Sequence, residues 1–409
     1  MFMVEINAFG MLALFGATIV VGYIGSLIFS RTKIPDILWL LIFGLIIGPL
    51  LGLVDRGLFL AISPILAALA ILLILFDAGL NMDFYQMVRS FSRSILLAVL
   101  GMILGIVSVG MFAVYVMGFD LLTGLLLGAM LGGTCSTTVI ALIRRSEIKP
   151  NTKTFLSLET VFTDPLVIVI SIALINVITQ STQYSATQGI LGAFSIGAVI
   201  GLVSGLIWLY VLDKLKGKPF DYMLTLAILF ILYVFVESSG GSGAIMALFF
   251  GLVLGNGRAF SSMLKFRKRF ETDHLLKTFN AEVSFFIRSF FFVYLGLIVV
   301  INQQLIIYGV AIAAILIIMR FIAVQISTIR MGLAPVERNI ARNLAPRGLA
   351  AAVLAQLPIT YGIQNAQVFS DIIFIVILAT VIYTTVAVKI ASRTKKKHKE
   401  EHKENAKKD

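Results

Sequence analysis

Thirteen apolar runs follow one another along this chain, at roughly 7–29, 36–54, 60–80, 94–117, 120–143, 154–178, 188–212, 220–236, 241–256, 281–301, 304–326, 342–362 and 369–391. Most approach or exceed the ~20 residues that an α-helix needs to cross a bilayer core. With no water in that core, each segment must satisfy its own backbone polar groups, and the helix does so residue by residue. The expected fold class is therefore an all-α polytopic membrane protein with about 13 transmembrane helices, its first partner the lipid bilayer. The chain is 59% hydrophobic and 13% charged, against about 45–50% and 25% in soluble domains. Residues 1–391 read as a single transmembrane unit, and 392–409 as a disordered, basic cytoplasmic tail. The first run follows Glu5 rather than a basic segment and is too long for a signal peptide, so it reads as a retained helix. Cys135 is the single cysteine, which excludes an internal disulfide.

The formal charge of +12 could suggest a nucleic-acid partner, but its distribution argues against one. With the N-terminus outside, the cytoplasmic loops hold Arg31 and Lys33; Arg89 and Arg93; Arg144, Arg145, Lys149 and Lys153; and Lys214, Lys216 and Lys218. Further along they hold Arg258, Lys265, Arg267, Lys268, Arg269 and Lys277, then Arg330 and Arg338. The opposite loops hold Arg56 and almost nothing else. Such asymmetry is what the positive-inside rule produces, and it predicts an N-terminus outside and a C-terminus in the cytoplasm.

The sixth run carries Glu159-Thr160-Val161-Phe162-Thr163-Asp164-Pro165. A charge at that depth costs several kcal/mol, which marks these carboxylates as candidate functional groups. Thr160 and Asp164 are four residues apart and share a helix face, as do Glu159 and Thr163. Pro165 cannot donate a backbone hydrogen bond and predicts a loosened helix beside the acid. Oxygen ligands next to a disturbed backbone suit a small hard cation or a proton, with Asp164 and Thr160 as its candidate ligands. The alternative is that buried basic partners neutralise both acids, which then only hold helices together. Arg288 and Arg320 also lie in apolar surroundings and need partners; Arg320 or Arg347 with Glu159 is the expected ion pair. Asp77, near the cytoplasmic end of the third span, reads as interfacial or structural, with a place in the ion path as the alternative.

Two runs look broken. The fifth contains Gly132-Gly133-Thr134-Cys135-Ser136-Thr137-Thr138, and the twelfth Ala345-Pro346-Arg347-Gly348. Being seven apart, they enter the membrane in opposite directions. Matched interruptions in oppositely oriented halves point to an inverted-repeat transporter with its site near the midplane. The alternative for the fifth run is a small-residue face for helix packing.

These motifs, in this order, resemble the monovalent cation:proton antiporter superfamily, specifically the sodium/proton exchangers of the NhaP type. Glu159–Pro165 resembles the family's E-S-I-F-N-D-P, Arg288–Gly296 its R-x-F-x-F-V-F-L-G, and Pro346-Arg347-Gly348 its G-P-R-G. Arg31–Asp36 followed by Gly44–Pro49 resembles its opening two spans. The resemblance covers the chain to about Lys389. It implies inverted repeats with two crossing broken helices, and a homodimer of protomers built from dimerisation helices and a mobile core including 94–178 and 304–391. It implies that Asp164 holds the cation or proton, helped by Thr160 and Thr163, that Glu159 and Arg320 form a structural pair, and that Thr134 lines the first break. Cys135, Ser136, Thr137, Arg347 and Arg288 would support the site.

Two departures stand out. Thr134-Cys135-Ser136 replaces the family's frequent T-D-P, approaching the serine- and threonine-rich potassium/proton branch. Thr163-Asp164 leaves one titratable group where electrogenic members have two, which favours electroneutral exchange. The expected function is exchange of Na⁺, or K⁺, for H⁺ at the cell membrane, with no cofactor and no P-loop. A sodium-coupled symporter of a small organic anion is the alternative, although few polar groups outside the suspected core could hold such a substrate. An intramembrane aspartyl protease using Asp77 and Asp164 lacks the G-x-G-D context, and a channel lacks rings of like residues.

Overall fold

A computed structural model describes residues 8–405 apart from 33, 54–55, 83–92, 145, 147, 180–185, 216–219 and 264–273. Of the charges that set the expected orientation, Lys33, Arg89, Arg145, Lys216, Lys218, Lys265, Arg267, Lys268 and Arg269 lie outside the described residues. Regular structure among the described residues is helical throughout. The helices are α1 (Ala8–Thr32), α2 (Asp36–Leu45, prolonged by a π-helical turn Ile46–Leu50), α3 (Arg56–Asn81), α4 (Arg93–Met117), α5 (Leu121–Leu131) and α6 (Ser136–Arg144). Then come α7 (Pro150–Thr179), α8 (Ala186–Leu215), α9 (Asp221–Ser238), α10 (Gly243–Gly255), α11 (Gly257–Met263) and α12 (His274–Ile298). The last are α13 (Gln303–Ser327), α14 (Pro335–Asn343), α15 (Leu349–Leu354), α16 (Leu357–Thr360) and α17 (Ala366–Asn405). Nine helical segments among the described residues are long and apolar enough to cross a membrane. Four shorter apolar ones, Asp36–Leu50, Tyr222–Ser238, Gly243–Gly255 and Leu349–Thr360, fall on the second, eighth, ninth and twelfth apolar runs.

The helices pack in two groups. In one, α3 lies against α10 and α12, α2 against α12 and α1, and α8 against α10. In the other, α4 packs on α5, α7 and α13, and α17 on α13 and α14. Glycines set the closest approaches, as expected where small residues substitute for a hydrophobic driving force. A Cβ on Gly79 would overlap the Leu248 carbonyl, and one on Gly251 the Phe76 carbonyl, so α3 and α10 touch backbone to backbone.

Both suspected breaks are present. Helix α5 stops at Leu131 and α6 starts at Ser136; α14 stops at Asn343 and α15 starts at Leu349. The small-residue alternative for the fifth run also holds, one turn earlier: Gly124 and Gly128 lie against the Gly110 and Ile106 carbonyls of α4. Arg342 and Asn343, counted by apolarity in the twelfth run, belong instead to the polar helix α14, which starts at Pro335 in a position suited to proline. Helix α7 continues through Pro165, so the proline leaves the helix intact. Where the composition of 392–409 predicts disorder, α17 runs on as helix to Asn405. Lysine and glutamate are good helix formers, and extending an existing helix avoids the cost of nucleation. Residues 406–409 lie outside the described residues.

Candidate functional site

The two unwound stretches meet. The Cys135 amide donates to the Pro346 carbonyl at 2.8 Å, and a Cβ on Gly348 would overlap the Cys135 Sγ. Unwinding leaves backbone groups without helical partners, and in hydrocarbon each must find another. Two threonines of α17 serve the second break: Thr384 Oγ1 accepts from the Ala345 amide at 3.3 Å, and Thr380 Oγ1 from the Arg347 amide at 3.1 Å. Arg347 serves the first. Its Nη1 donates to the Gly132 carbonyl at 3.2 Å and also to the Gly133 carbonyl. A cation there meets the C-terminal, negative end of α5, which favours positive charge. Arg347 is thereby committed to the backbone rather than to Glu159.

Glu159 pairs with Arg320. Arg320 Nη1 reaches Oε1 at 2.8 Å and Nη2 reaches Oε2 at 3.2 Å, a bidentate arrangement, while Nε donates to the Ala341 carbonyl at 3.2 Å. Both side chains are buried, at 3% and 2% exposure. Thr134 Oγ1 adds a hydrogen bond to Glu159 Oε1 at 3.0 Å. Thr163 Oγ1 donates to the Thr160 carbonyl at 3.0 Å and lies 3.5 Å from Thr134 Oγ1. These residues form one buried polar cluster around the first break.

Asp164 stands apart from that cluster. It lines a cavity of about 230 Å³ together with Cys135, Ser136, Thr137, Asp77, Ser284 and Arg288. Ser136, the first residue of α6, lines that cavity with Asp164. Thr160, expected beside Asp164, is fully buried, and its hydroxyl goes to the Ser157 carbonyl at 3.0 Å. The helix face is shared as the spacing predicts, but a threonine hydroxyl can bond back into its own preceding turn, and here it does. Ser136, expected only in support, is the hydroxyl residue that shares the cavity with Asp164, while Thr160 does not line it. Arg288 pairs with Asp36 of α2 at 3.2 Å, a partner 252 positions away that local pattern could not name. Asp77, read as interfacial or structural, faces the same cavity as Asp164. The available signal was the four-residue ladder Asn280, Ser284, Arg288 on α12.

The family model described as sodium/hydrogen exchanger, transmembrane, matches residues 16–393. The chain belongs to the sodium/hydrogen exchanger family. Among related members, the K⁺/H⁺ antiporter NhaP of Alkalimonas amylolytica is 24% identical over 89% of this chain and 63% of its own length. The low-affinity Na⁺/H⁺ antiporter NhaS1 of a Synechocystis strain is 26% identical over 85% of this chain and 67% of its own. The chain thus spans under two thirds of the first exchanger and about two thirds of the second. The fold is that of the sodium proton antiporter MjNhaP1 from Methanocaldococcus jannaschii. That structure superposes with a TM-score of 0.79 at 21% identity, over 93% of this chain and 100% of the other.

Proposed function

We propose that this exchanger trades one monovalent cation, Na⁺ or K⁺, for one proton by alternating access, electroneutrally and without enzymatic chemistry. The observation that carries the proposal is the division of labour between two acids. Glu159 is neutralised by Arg320, whereas Asp164, among the described residues, has no basic partner within salt-bridge distance and opens on a cavity. Only Asp164 then changes charge with occupancy. A bare carboxylate carried through low dielectric meets a large desolvation penalty. A bound proton or a bound cation removes it equally, so the site reorients full of one or the other and exchange results. Asp164 and Ser136 supply the first oxygens for the ion, with Thr137 beside them on the cavity wall; Thr134 and Thr163 hold the break in shape. A single carboxylate with neutral oxygens suits a singly charged ion.

In this mechanism the group built on α4–α7 and α13–α17 is the mobile part and moves against the group built on α1–α3, α10 and α12. The four short apolar segments also cross the bilayer, giving thirteen crossings in the plasma membrane, N-terminus outside, in a homodimer. The loop charges support the orientation, and the cation names of the relatives support the exchanged ions.

The test is proton efflux from vesicles reconstituted with the full chain, read by an internal pH dye as Na⁺, K⁺ or Li⁺ is added outside. The expected result is cation-driven alkalinisation that clamping the membrane potential leaves unchanged, and none in Asp164→Asn. Retained, pH-dependent exchange in that variant would overturn the proposal.

A further inference from the structure

The cavity beside Asp164 lies towards the ends of α3 and α12 that the loop charges put on the cytoplasmic side: Ile74, Asp77 and Ala78 near the end of α3 and Ala281 to Arg288 in the first half of α12. Towards the extracellular ends of the same two helices the structure is closed. Phe59, in the first turn of α3, and Phe291 and Tyr294 of α12 are each at most 1% exposed. The Tyr294 ring lies 6.2 Å from that of Phe59 and 5.4 Å from that of Phe291. Glycines hold this wall in place: a Cβ on Gly44 of α2 would overlap the Val293 carbonyl, and one on Gly296 the Leu41 carbonyl. Against the aromatic wall the other group of helices sets a polar side chain. Gln356, at the junction of α15 and α16, is fully buried. The Tyr294 hydroxyl donates to its Oε1 at 3.2 Å, its Nε2 donates to Ser370 Oγ of α17 at 3.1 Å, and the Ser370 hydroxyl donates to the Ala355 carbonyl at 3.1 Å. A second bond joins the groups at the same end of α12: the Val300 amide, in the link to α13, donates to Asp371 Oδ1 of α17 at 2.8 Å.

A plug built only to exclude water would be apolar, because each buried hydroxyl or amide must find a partner or cost free energy. A directional hydrogen bond adds what packed rings cannot. It is complete in one alignment of the two groups and is lost once they slide apart. Water entering the opened path would replace each lost partner, so the bond favours the closed state without locking it. Helix α15 ties this contact to the site, since Leu349 and Ala350 at its start line the cavity and Gln356 follows its last turn. We propose that Tyr294 and Gln356 are positioning residues for exchange, a latch that closes the extracellular side while Asp164 faces the cytoplasm and that parts in every cycle. The latch rests on the alternating access proposed above.

The test compares initial uptake of radioactive Na⁺, or Rb⁺ standing in for K⁺, into right-side-out and inside-out membrane vesicles holding the full chain. Tyr294→Phe removes the donor and keeps the ring. Losing one net hydrogen bond from the closed state shifts the population towards the extracellular-facing state by about fivefold. The KM for the cation should therefore fall by up to about fivefold on the extracellular side and rise on the cytoplasmic side. Gln356→Leu should shift both in the same directions, and Tyr294→Phe/Gln356→Leu no further than the larger single variant. A merely structural role would lower the rates from both sides and leave the ratio of the two KM values unchanged. An unchanged ratio, or an additive shift in the double variant, would overturn the latch. Tyr294→Phe carries the test if Gln356→Leu does not fold. A wild-type chain that exchanges no cation would refute exchange instead. The latch would then be decided by how fast a membrane-impermeant thiol reagent reaches Cys135, a residue of the cavity wall, from each side: faster from outside in Tyr294→Phe supports it, and equal rates in wild type and variant overturn it.

Discussion

Arg320→Met should destabilise the protein severely, and Glu159→Leu/Arg320→Met should restore it. In the wild type, Glu159 is 1% exposed and receives two hydrogen bonds from Arg320 and one from Thr134. Removing the guanidinium leaves a buried carboxylate with one neutral donor, a situation that costs about 3–5 kcal/mol. Glu159→Leu alone strands Arg320 with only the Ala341 carbonyl and should cost a similar amount. With both charges gone, apolar side chains of similar volume fill the gap, and the freed Thr134 hydroxyl can turn to Thr163 Oγ1, 3.5 Å away. The double variant should lie within about 1 kcal/mol of wild type. The double-mutant cycle therefore predicts a coupling of several kcal/mol, far above the ~0–1 kcal/mol of exposed pairs. The assay is denaturant unfolding of the purified protein in detergent, followed by far-UV circular dichroism, with cation exchange measured on the same preparations. A coupling below about 1 kcal/mol would refute the structural assignment of the pair. A folded double variant without exchange would show instead that Glu159 takes part in transport.

Thr380→Val removes the acceptor for the Arg347 amide, and leaving that buried N–H unpaired should lower unfolding stability by about 1–3 kcal/mol; no loss would mean the break is supported elsewhere. Gly348→Ala should abolish exchange by pushing its Cβ into Cys135, and adding Cys135→Gly should restore a measurable rate; equal inactivity of single and double variants would refute that contact. Asp120 caps α5 by accepting from the Thr123 amide at 3.1 Å, so Asp120→Ala should cost about 1 kcal/mol in thermal or denaturant unfolding. Desolvation opposes ionisation of Asp120, but the donors at Thr123, with the backbone amides of Asp120 and Leu122, together outweigh it and hold the carboxyl below its ordinary range. The cap's contribution is therefore present above the usual carboxylate range and fades as pH falls through the lowered value, and Asp120→Asn should remove that pH dependence.

Much of the site could be read from charge in apolar surroundings, because burying a charge is expensive enough to demand a reason. Glu159, Asp164, Arg288 and Arg320 all stood out that way. The two breaks were legible for a similar reason, since Gly132-Gly133 and Ala345-Pro346 interrupt runs that otherwise favour helix. What could not be read was partnership at a distance. Nothing local tells Arg288 that its counterion is Asp36, or that Arg347 spends its donors on Gly132 and Gly133 rather than on Glu159. Hydroxyls were also ambiguous. Helical spacing puts Thr160 on the face of Asp164, yet its hydroxyl bonds to the Ser157 carbonyl, because a side-chain donor near its own backbone has a partner that spacing ignores. Apolarity failed to delimit α14, whose turn-by-turn composition is polar although Ile340 and Ala341 are buried. Asp77 was read as interfacial or structural because it lies near the end of its span, where a charge can reach water and needs no special reason.

The central claim is that proton and cation compete for Asp164. Initial rates of radioactive Na⁺ uptake, or Rb⁺ in place of K⁺, measured in reconstituted vesicles across a range of external pH, test it most directly. Competition predicts that acidification raises the KM for the cation, up to tenfold per pH unit where the proton dominates, while the maximal rate stays constant. A KM that stays flat with pH while the maximal rate falls would mean that the two ions bind at separate groups, and would contradict the account.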